Sequence, residues 1–588
     1  MTAQPLASSR WILPLVGDTL PDRALVGGKG WSLARMVSLG LTVPPAFVVT
    51  TEACRSFLNS QTLPEGLREE IAAGMRWLEQ ETGRRFGAGP RPLLISVRSG
   101  APVSMPGMMD TILNLGINAH TEALLAIECR DAAFARDTHR RFVELYGEIV
   151  LKATPVPLLP ADDFTAWQRS IHDESGIGVP ESVGDQLDGA VRAVFDSWNS
   201  RRAQRYRRHH GVPGHYGTAV VVQAMVFGNL CERSGTGVLF SRNPVTGEPV
   251  PYGEFLPCAQ GEDVVSGRQT PMPLEAMRER TPDAYRDLLE AARLLERENH
   301  DVQDIEFTVE RGRLYLLQSR GAKRAPLAAV RIARDMVSEG SASPDEAFSK
   351  LTPELVRSVL GARLPHSATE RAEVLARGVA ASPGVAAGVV VTDADLAEQR
   401  AQEGTDVVLA RATTSPRDLN GMIAARAIVT EHGGATSHAA VVSRSLGRPC
   451  IVGCGPDALL PLAGRLVTVD GATGCVYAGK LAVEAPDEDA DPILQPLLQW
   501  AQRRSPVQVL KSPPDGQPVV DLDGLADADR SDTGLDAYLA ALPRGHAVRG
   551  HALHTDAVVA ACVRGGVKIL IASPRLPVLL AAAQAAQH

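Results

Sequence analysis

The tightest constraint in this 588-residue chain is one short segment, Glu431-His432-Gly433-Gly434-Ala435-Thr436-Ser437-His438-Ala439-Ala440-Val441-Val442. Residues 427–429 are apolar and predict a buried strand; the Gly-Gly pair predicts a turn. Thr436 or Ser437 then predicts a helix N-cap, with His438 in the first turn. A strand, a glycine turn and a capped helix in succession belong to an α/β layer. The electrical consequence falls on His438. A helix N-terminus carries partial positive charge, which favours the neutral imidazole and keeps one ring lone pair available as a nucleophile. The same field stabilises an anionic group once it is attached to that nitrogen. The physics suits a histidine that is transiently phosphorylated. A purely structural first-turn histidine is the competing reading for an isolated residue. His432 has the same ring but precedes the glycines and lacks the helix-end field.

Three further stretches carry polar groups suited to a polyphosphate. Leu25-Val26-Gly27-Gly28-Lys29-Gly30 leads into a predicted helix, so backbone N–H groups and the Lys29 ammonium can approach an anion. Its spacing is not that of a P-loop, and alone it reads equally as a turn. Ser96-Val97-Arg98-Ser99-Gly100 follows a predicted strand at 93–97, where a strand-end Arg98 can grip phosphate bidentately. The Met- and Gly-containing loop at 104–110 behind it reads either as a water-excluding flap or as core packing. Gln303-Asp304-Ile305-Glu306 and Gln318-Ser319-Arg320 fall on predicted strands at 304–309 and 313–317, joined by a hairpin at Glu310-Arg311-Gly312. Glu306 and Gln318 on neighbouring strands can hold Mg²⁺ between them, with Arg320 beside the phosphates. A solvated strand face is the plainer alternative.

Composition narrows the class. The net charge of −8 and the 4% aromatic content disfavour a nucleic-acid platform. Eight cysteines in a chain this long do not form a disulfide framework, and read as small buried residues in a reducing compartment. No apolar run reaches the ~20 residues needed to span a bilayer, and residues 1–16 make a poor signal peptide, so a cytoplasmic protein without membrane contact is expected. Residues 119–210 carry helical periodicity, notably 134–151 and 186–198; residues 217–320 return to strands; 321–375 are charged and helical. Residues 376–482 alternate short strands and helices, and a Pro- and Asp-rich linker follows at 485–491. Beyond it, the one convincing strand is 567–572, after a helix near 555–564.

Taken together, the four stretches resemble the pyruvate, phosphate dikinase family, part of a wider group with phosphoenolpyruvate synthase. The likeness is nearly continuous from residue 26 to 480. It includes Val222-Gln223-Ala224-Met225-Val226-Phe227-Gly228-Asn229, Gly235-Thr236-Gly237, Ala259-Gln260-Gly261-Glu262-Asp263-Val264-Val265 and Ala381-Ser382-Pro383-Gly384. The resemblance implies a multidomain α/β and α+β chain. Its parts would be an ATP-grasp nucleotide-binding domain at 1–320 with a helical insert at about 119–210, a helical linker at 321–375, a swivelling phosphohistidine α/β domain at 376–485, and a short C-terminal α/β segment at 486–588. It implies ATP held by Lys29, Arg98, Thr236, Glu262, Gln318 and Arg320, with Gln223 to Val226 near the adenine. It implies Mg²⁺ on Glu306 and Gln318, a monovalent cation at no assigned position, and His438 as the catalytic histidine. That histidine would take the β-phosphoryl group of ATP while orthophosphate takes the γ-group, giving AMP and pyrophosphate. Separate domains would hold the two sites apart unless one swivels, with 321–375 and the loop before Ser382 as hinges.

The C-terminal (β/α)₈ barrel that binds pyruvate or phosphoenolpyruvate has no counterpart after residue 485, where at most one βα unit is expected. Onward transfer would then use a barrel supplied in trans by a phosphoenolpyruvate- or pyruvate-binding partner. Two alternatives stay open. One is another small acceptor served by residues 486–588, with His546, His551 and His554 as polar candidates. The other is a non-catalytic nucleotide-binding regulatory protein. A homo-oligomer is compatible with either.

Overall fold

The computed structural model describes residues 9–17, 19–103, 105, 109–153, 164–209, 211–265, 271–361, 363–484, 486–524, 532–543 and 545–586. Its N-terminal part is built on two five-stranded antiparallel sheets. The first runs in the order Ile12–Pro14, Ala46–Val49, Ala219–Ala224, Ile95–Gly100, Thr111–Leu115. The second runs Met272–Pro273, Tyr252–Pro257, Gly235–Phe240, Gln303–Glu310, Arg313–Gly321. The last two strands form the expected hairpin. Its turn residues Arg311 and Gly312 have φ of 51° and 83°, the positive pair that a two-residue turn needs to match strand twist. Side chains alternate along Gln303–Glu310. Ile305, Phe307 and Val309 enter an apolar cluster with Leu314 and Leu316, so Asp304, Glu306 and Thr308 point to the opposite face.

The stretch read as helical from its periodicity folds into helices that include Ala132–Ile149 and Val183–Ser197, capped by Asp131 and Ser182. The Gly-Gly-Lys-Gly segment leads into a helix as expected: Arg23–Ser38 is two helical pieces broken at Gly27 (φ 70°), and the longer piece follows that glycine. A side chain at Gly27 would place its Cβ 1.6 Å from the Gly100 carbonyl oxygen, and the Gly28 N–H donates to Ala101 O at 2.9 Å. The glycines therefore serve a close crossing of two backbones. Arg98, by contrast, is not at a strand end but within Ile95–Gly100.

Residues 374–478 form an eight-stranded sheet. Its outermost strands, Val374–Arg377 and Val379–Ser382, are consecutive in the chain and separated only by Gly378, so the sheet rolls until its ends meet. Val390, Val408, Val429, Ile451, Val467 and Val476 fill one side of it. The other side carries Ala394–Gln402, Leu419–Ala424 and His438–Leu446. The chain enters and leaves this unit through one neck. There Arg363 and Glu484 exchange backbone hydrogen bonds of 2.7 and 2.8 Å.

The C-terminal segment departs from expectation. It contains four strands, Gln508–Leu510, Ile569–Ile571, Ala547–Arg549 and Val519–Asp521, all parallel. Strands of three residues are too short to show a period, and only Ile569–Ile571 was legible, because it lies in the longer apolar run 567–572. Nor does the segment stand alone. Its helices Gln495–Arg504 and Leu576–Ala585 share an apolar cluster with the linker helices Pro326–Ser338, Pro344–Phe348 and Pro353–Val359. Trp500 seals the joint, with its ring 5.7 Å from Phe348 and its Nε1 donating to Asp345 at 2.9 Å. Of the linker read at 485–491, Ala485 lies outside the described residues.

At Gly378 a Cβ would lie 2.5 Å from the Val452 carbonyl oxygen and 2.8 Å from Ile451 Cγ2, so the rolled sheet has no room there. Gly378→Val is expected to lower stability by ~1–3 kcal/mol through overpacking. A lower chemical-denaturation midpoint with an unchanged slope is the check.

Candidate functional site

A cavity of about 1030 Å³ opens between the two N-terminal sheets and the eight-stranded unit. Its floor is the polar face of the second sheet. Register pairs Glu306 with both Gln318 and Val238, Asp304 with Arg320, and Thr308 with Thr236. Paired residues share a face, so one surface presents Thr236, Asp304, Glu306, Gln318 and Arg320. From the facing sheet, Arg98 donates to Glu306 Oε2 at 3.0 Å and to the Leu317 carbonyl at 3.2 Å. Arg320 is held on Asp304 by a 2.8 Å bond. At one end, Arg141 bridges Glu262 and Asp263 at 3.0 Å each. Gln223, Ala224, Met225 and Val226 line another wall.

The electrostatics of this floor are those of groups removed from water. Burial, with the charges of Arg98 and Arg320, pulls the Lys29 ammonium down to about 7, while Glu306 opposes the shift. Burial works against ionising Glu306, but the charges of Arg98, Arg320 and Lys29 outweigh it and hold its carboxyl below the usual range. Asp304 is pushed up, by burial first, with Arg320 opposing and Glu306 adding to the rise. Its Oδ1 is buried without a hydrogen-bond partner. Burial also raises Glu262, against the attraction of Arg141. Arg320 moves upward, chiefly through the Asp304 charge.

His438 faces this floor from the opposite side. It is the first residue of His438–Leu446, and Ser437 is the N-cap. Gly433 adopts φ 104°, a turn closed to other residues. His438 Nδ1 lies 3.2 Å from Thr414 Oγ1, and Nε2 is buried with no partner. Burial pulls the imidazole down to about 4, with the Asp418 charge opposing. The ring is therefore neutral at ordinary pH, and in the tautomer whose Nδ1–H donates to Thr414 Oγ1, Nε2 carries the free lone pair.

What seats the histidine comes from the other unit. The Glu254 carboxylate, on the strand Tyr252–Pro257, accepts from the Ala435 N–H at 2.7 Å, the Thr436 N–H at 3.2 Å and the Thr436 hydroxyl. A Cβ at Gly434 would fall 2.1 Å from Glu254 Oε1, so the glycine is what lets the carboxylate approach. Arg444, on the helix that begins with His438, adds a second contact by lying 5.7 Å over the Phe240 ring. Burial lowers its pKa.

Comparison with known proteins bears on what such a cavity is. Residues 23–80 and 60–282 match the pyruvate phosphate dikinase AMP/ATP-binding domain, and residues 403–474 match the mobile domain of PEP-utilising enzymes. Pyruvate, phosphate dikinase of Rhizobium meliloti is 42% identical over 528 residues, covering 82% of this chain and 58% of the relative. That of Clostridium symbiosum is 39% identical over 531 residues, 84% of this chain and 60% of the relative. Pyruvate, phosphate dikinase 2 of Zea mays is 42% identical over 523 residues, 83% and 59%. This chain belongs to the pyruvate, phosphate dikinase family. It spans about three fifths of the length of those relatives. The cavity thus lies between the family's AMP/ATP-binding domain and its mobile domain.

Every residue singled out by sequence in these domains lines that one cavity: Lys29, Arg98, Thr236, Glu262, Glu306, Gln318, Arg320 and His438. The expectation that distance separates the histidine from the nucleotide groups does not describe this arrangement, because the mobile domain is docked. Of the flap, Met105 is buried and Met109 packs beside it, while Ser104, Pro106, Gly107 and Met108 lie outside the described residues. His546, His551 and His554 do not line the cavity; the rings of the last two lie 4.9 Å apart, tilted by 59°, in the C-terminal segment. Sequence reasoning left Asp304, Glu254, Thr414 and Arg141 without roles. Strand alternation from Glu306 would have reached Asp304. The other three act across domains or helices, where no local pattern marks them. Among the described residues, no helix is long and apolar enough to cross a membrane, and no cluster of three or more His, Cys, Asp or Glu is arranged for a metal.

Replacing the Glu254 carboxylate by a cation should undock the mobile domain. Glu254→Lys is expected to return the His438 imidazole from about 4 toward the ordinary ~6.5, because losing burial no longer penalises the charged ring. Imidazole NMR titration reads this directly.

Proposed function

We propose that this chain carries out the ATP half of a dikinase reaction. His438 Nε2 attacks the β-phosphorus of ATP and the bond to the AMP oxygen breaks; orthophosphate takes the γ-phosphoryl group, releasing pyrophosphate and leaving phospho-His438. The observation that carries the reading is His438, which lines one cavity with Lys29, Arg98 and Arg320 and whose buried Nε2 has no partner. Two antiparallel sheets closing on that cavity support an ATP-grasp reading of residues 1–320.

Phosphoryl transfer is chiefly positioning and charge neutralisation. Arg98 and Arg320 supply fixed positive charge opposite the histidine, each anchored by a carboxylate on the sheet. Lys29 gains a proton as the polyphosphate arrives. Thr414 holds the ring so that Nε2 faces the floor. Gln223 to Val226 border the adenine end, and Glu262 and Thr236 line the same cavity. The donor set fits Mg²⁺: Glu306 and Gln318 are paired side by side, and the unpartnered Asp304 Oδ1 adds a third hard oxygen. When bound, the ion would neutralise charge on the phosphates.

For onward transfer the mobile domain must leave the nucleotide side. The paired neck at Arg363 and Glu484 is the better hinge than the linker helices, which are buried against the C-terminal segment. We place onward transfer to pyruvate on a phosphoenolpyruvate-binding barrel supplied in trans. The four-stranded parallel sheet of the C-terminal segment is not such a barrel.

Incubation with β-³²P-ATP, Mg²⁺ and phosphate should give acid-labile label on the protein together with AMP. His438→Ala should abolish the label while nucleotide binding stays within about twofold, a change under ~0.5 kcal/mol. Label that persists in His438→Ala, or its absence in the native chain, overturns the reading. The pH dependence has a definite sign. With Lys29 titrating at about 7 in the free protein, ATP affinity should fall as pH rises above that point. Lys29→Arg, which stays charged, should flatten the dependence.

A further inference from the structure

Two of the eight cysteines contradict the expectation of small buried residues. Cys231 and Cys258 are exposed, and they meet although 27 positions separate them. The Cys258 thiol lies 3.4 Å from the carbonyl oxygen of Cys231 itself. The Cys231 thiol is 3.2 Å from the Ser234 hydroxyl, and the Cys258 N–H donates to the Ser234 carbonyl at 3.0 Å. The turn 231–234, closed by a 2.8 Å bond from the Ser234 N–H to the Cys231 carbonyl, thus forms a seat on which Cys258 rests. Cys258 itself holds φ 53°, a conformation costly for a side chain with a Cβ.

We propose that Cys231 and Cys258 are a redox modification site, closing to a reversible disulfide that alters nucleotide binding. The oxidant is a hydroperoxide. One thiolate attacks the O–O bond to give a sulfenic acid and release water or alcohol; the second thiol then displaces water from that sulfur and the S–S bond forms. The two thiols lose two electrons and two protons, and the peroxide takes both. A dithiol reductant returns the thiols by exchange.

Closure is coupled to the cavity because each cysteine lies within three residues of a residue that lines it: Gly228 for Cys231 and Gln260 for Cys258. Cys258 is followed by Ala259, Gln260, Gly261 and Glu262, and the last three line the cavity. Cys231 follows Gly228 and Asn229, and Gln260 Nε2 donates to Asn229 Oδ1 at 3.3 Å across the two loops. Gly228 leaves no slack, since a Cβ there would be 2.3 Å from the Ala259 carbonyl oxygen. Drawing the sulfurs to a bond length of ~2.05 Å requires Cys258 to leave its present seat. The shift passes directly to Gln260 and Glu262. The coupling rests on the nucleotide reading above; the cross-link does not.

The full-length chain, reduced and then treated with hydrogen peroxide, is digested without reductant and mapped by mass spectrometry. The expected product is one linked peptide pair containing Cys231 and Cys258, reversed by dithiothreitol and absent in Cys231→Ser and Cys258→Ser. Titration with a fluorescent ATP analogue should then show affinity roughly fivefold or more weaker in the oxidised chain and unchanged in peroxide-treated Cys231→Ser. Separate alkylation of both thiols after oxidation, with no linked pair, overturns the proposal. A linked pair with unchanged affinity overturns its coupling to the nucleotide. If the reduced chain binds no nucleotide, the nucleotide reading fails while the linked pair still reports on the thiols.

Discussion

One carboxylate holds the arrangement together. Glu254 belongs to the AMP/ATP-binding part of the fold, yet its oxygens accept the N–H groups of Ala435 and Thr436, just ahead of His438 in the mobile domain. Hydrogen bonds to a charged acceptor contribute about 1.5–3 kcal/mol each, and these form in a gap that Gly434 keeps open. The contact is directional. It aims the loop, the loop sets the first turn of His438–Leu446, and that turn brings His438 to the cavity. The same burial that neutralises the imidazole follows from this docking. Beside this polar contact, Met105, Trp198 and Ala203 join Ala394, Leu419 and Val442 of the mobile domain in an apolar cluster, so docking also buries hydrophobic surface.

The floor opposite is a balance of buried charge. Lys29, Arg98 and Arg320 outnumber Asp304 and Glu306, and each arginine is tied to one carboxylate. Such pairs are costly to bury and are held by geometry rather than by net attraction. Their use lies in preorganisation: cations fixed before the ligand arrives need no reorganisation during transfer. Burial first, and then the charges of Arg98 and Arg320, lower the Lys29 pKa in the free protein.

Legibility in the sequence tracked how local each feature was. The Ser437 cap, the turn at Gly433 and the hairpin at Arg311-Gly312 depend on neighbours within a few residues, and all were readable. Register followed from the hairpin, which is why Glu306 and Gln318 could be paired in advance. The helix after Gly27-Gly28 was readable too, but the reason for the glycines was not, because it is the crossing of the 100–102 backbone, a partner more than seventy positions away. The three short parallel strands of the C-terminal segment escaped for want of a period, and its union with the linker helices for want of any local mark.

The sequence by itself determined the chemistry available to this protein: a helix-end histidine, cationic side chains spaced along strands, and glycines where backbone must turn. These are properties of residue type and short spacing, and they survive without a fold. Only the tertiary structure decided which of them meet. Glu254 beneath the histidine loop, Thr414 on Nδ1, Arg98 on Glu306 and Cys258 on the carbonyl of Cys231 all join residues distant in the chain. Long-range contacts are set by how whole layers pack, and no single stretch of chain carries that information.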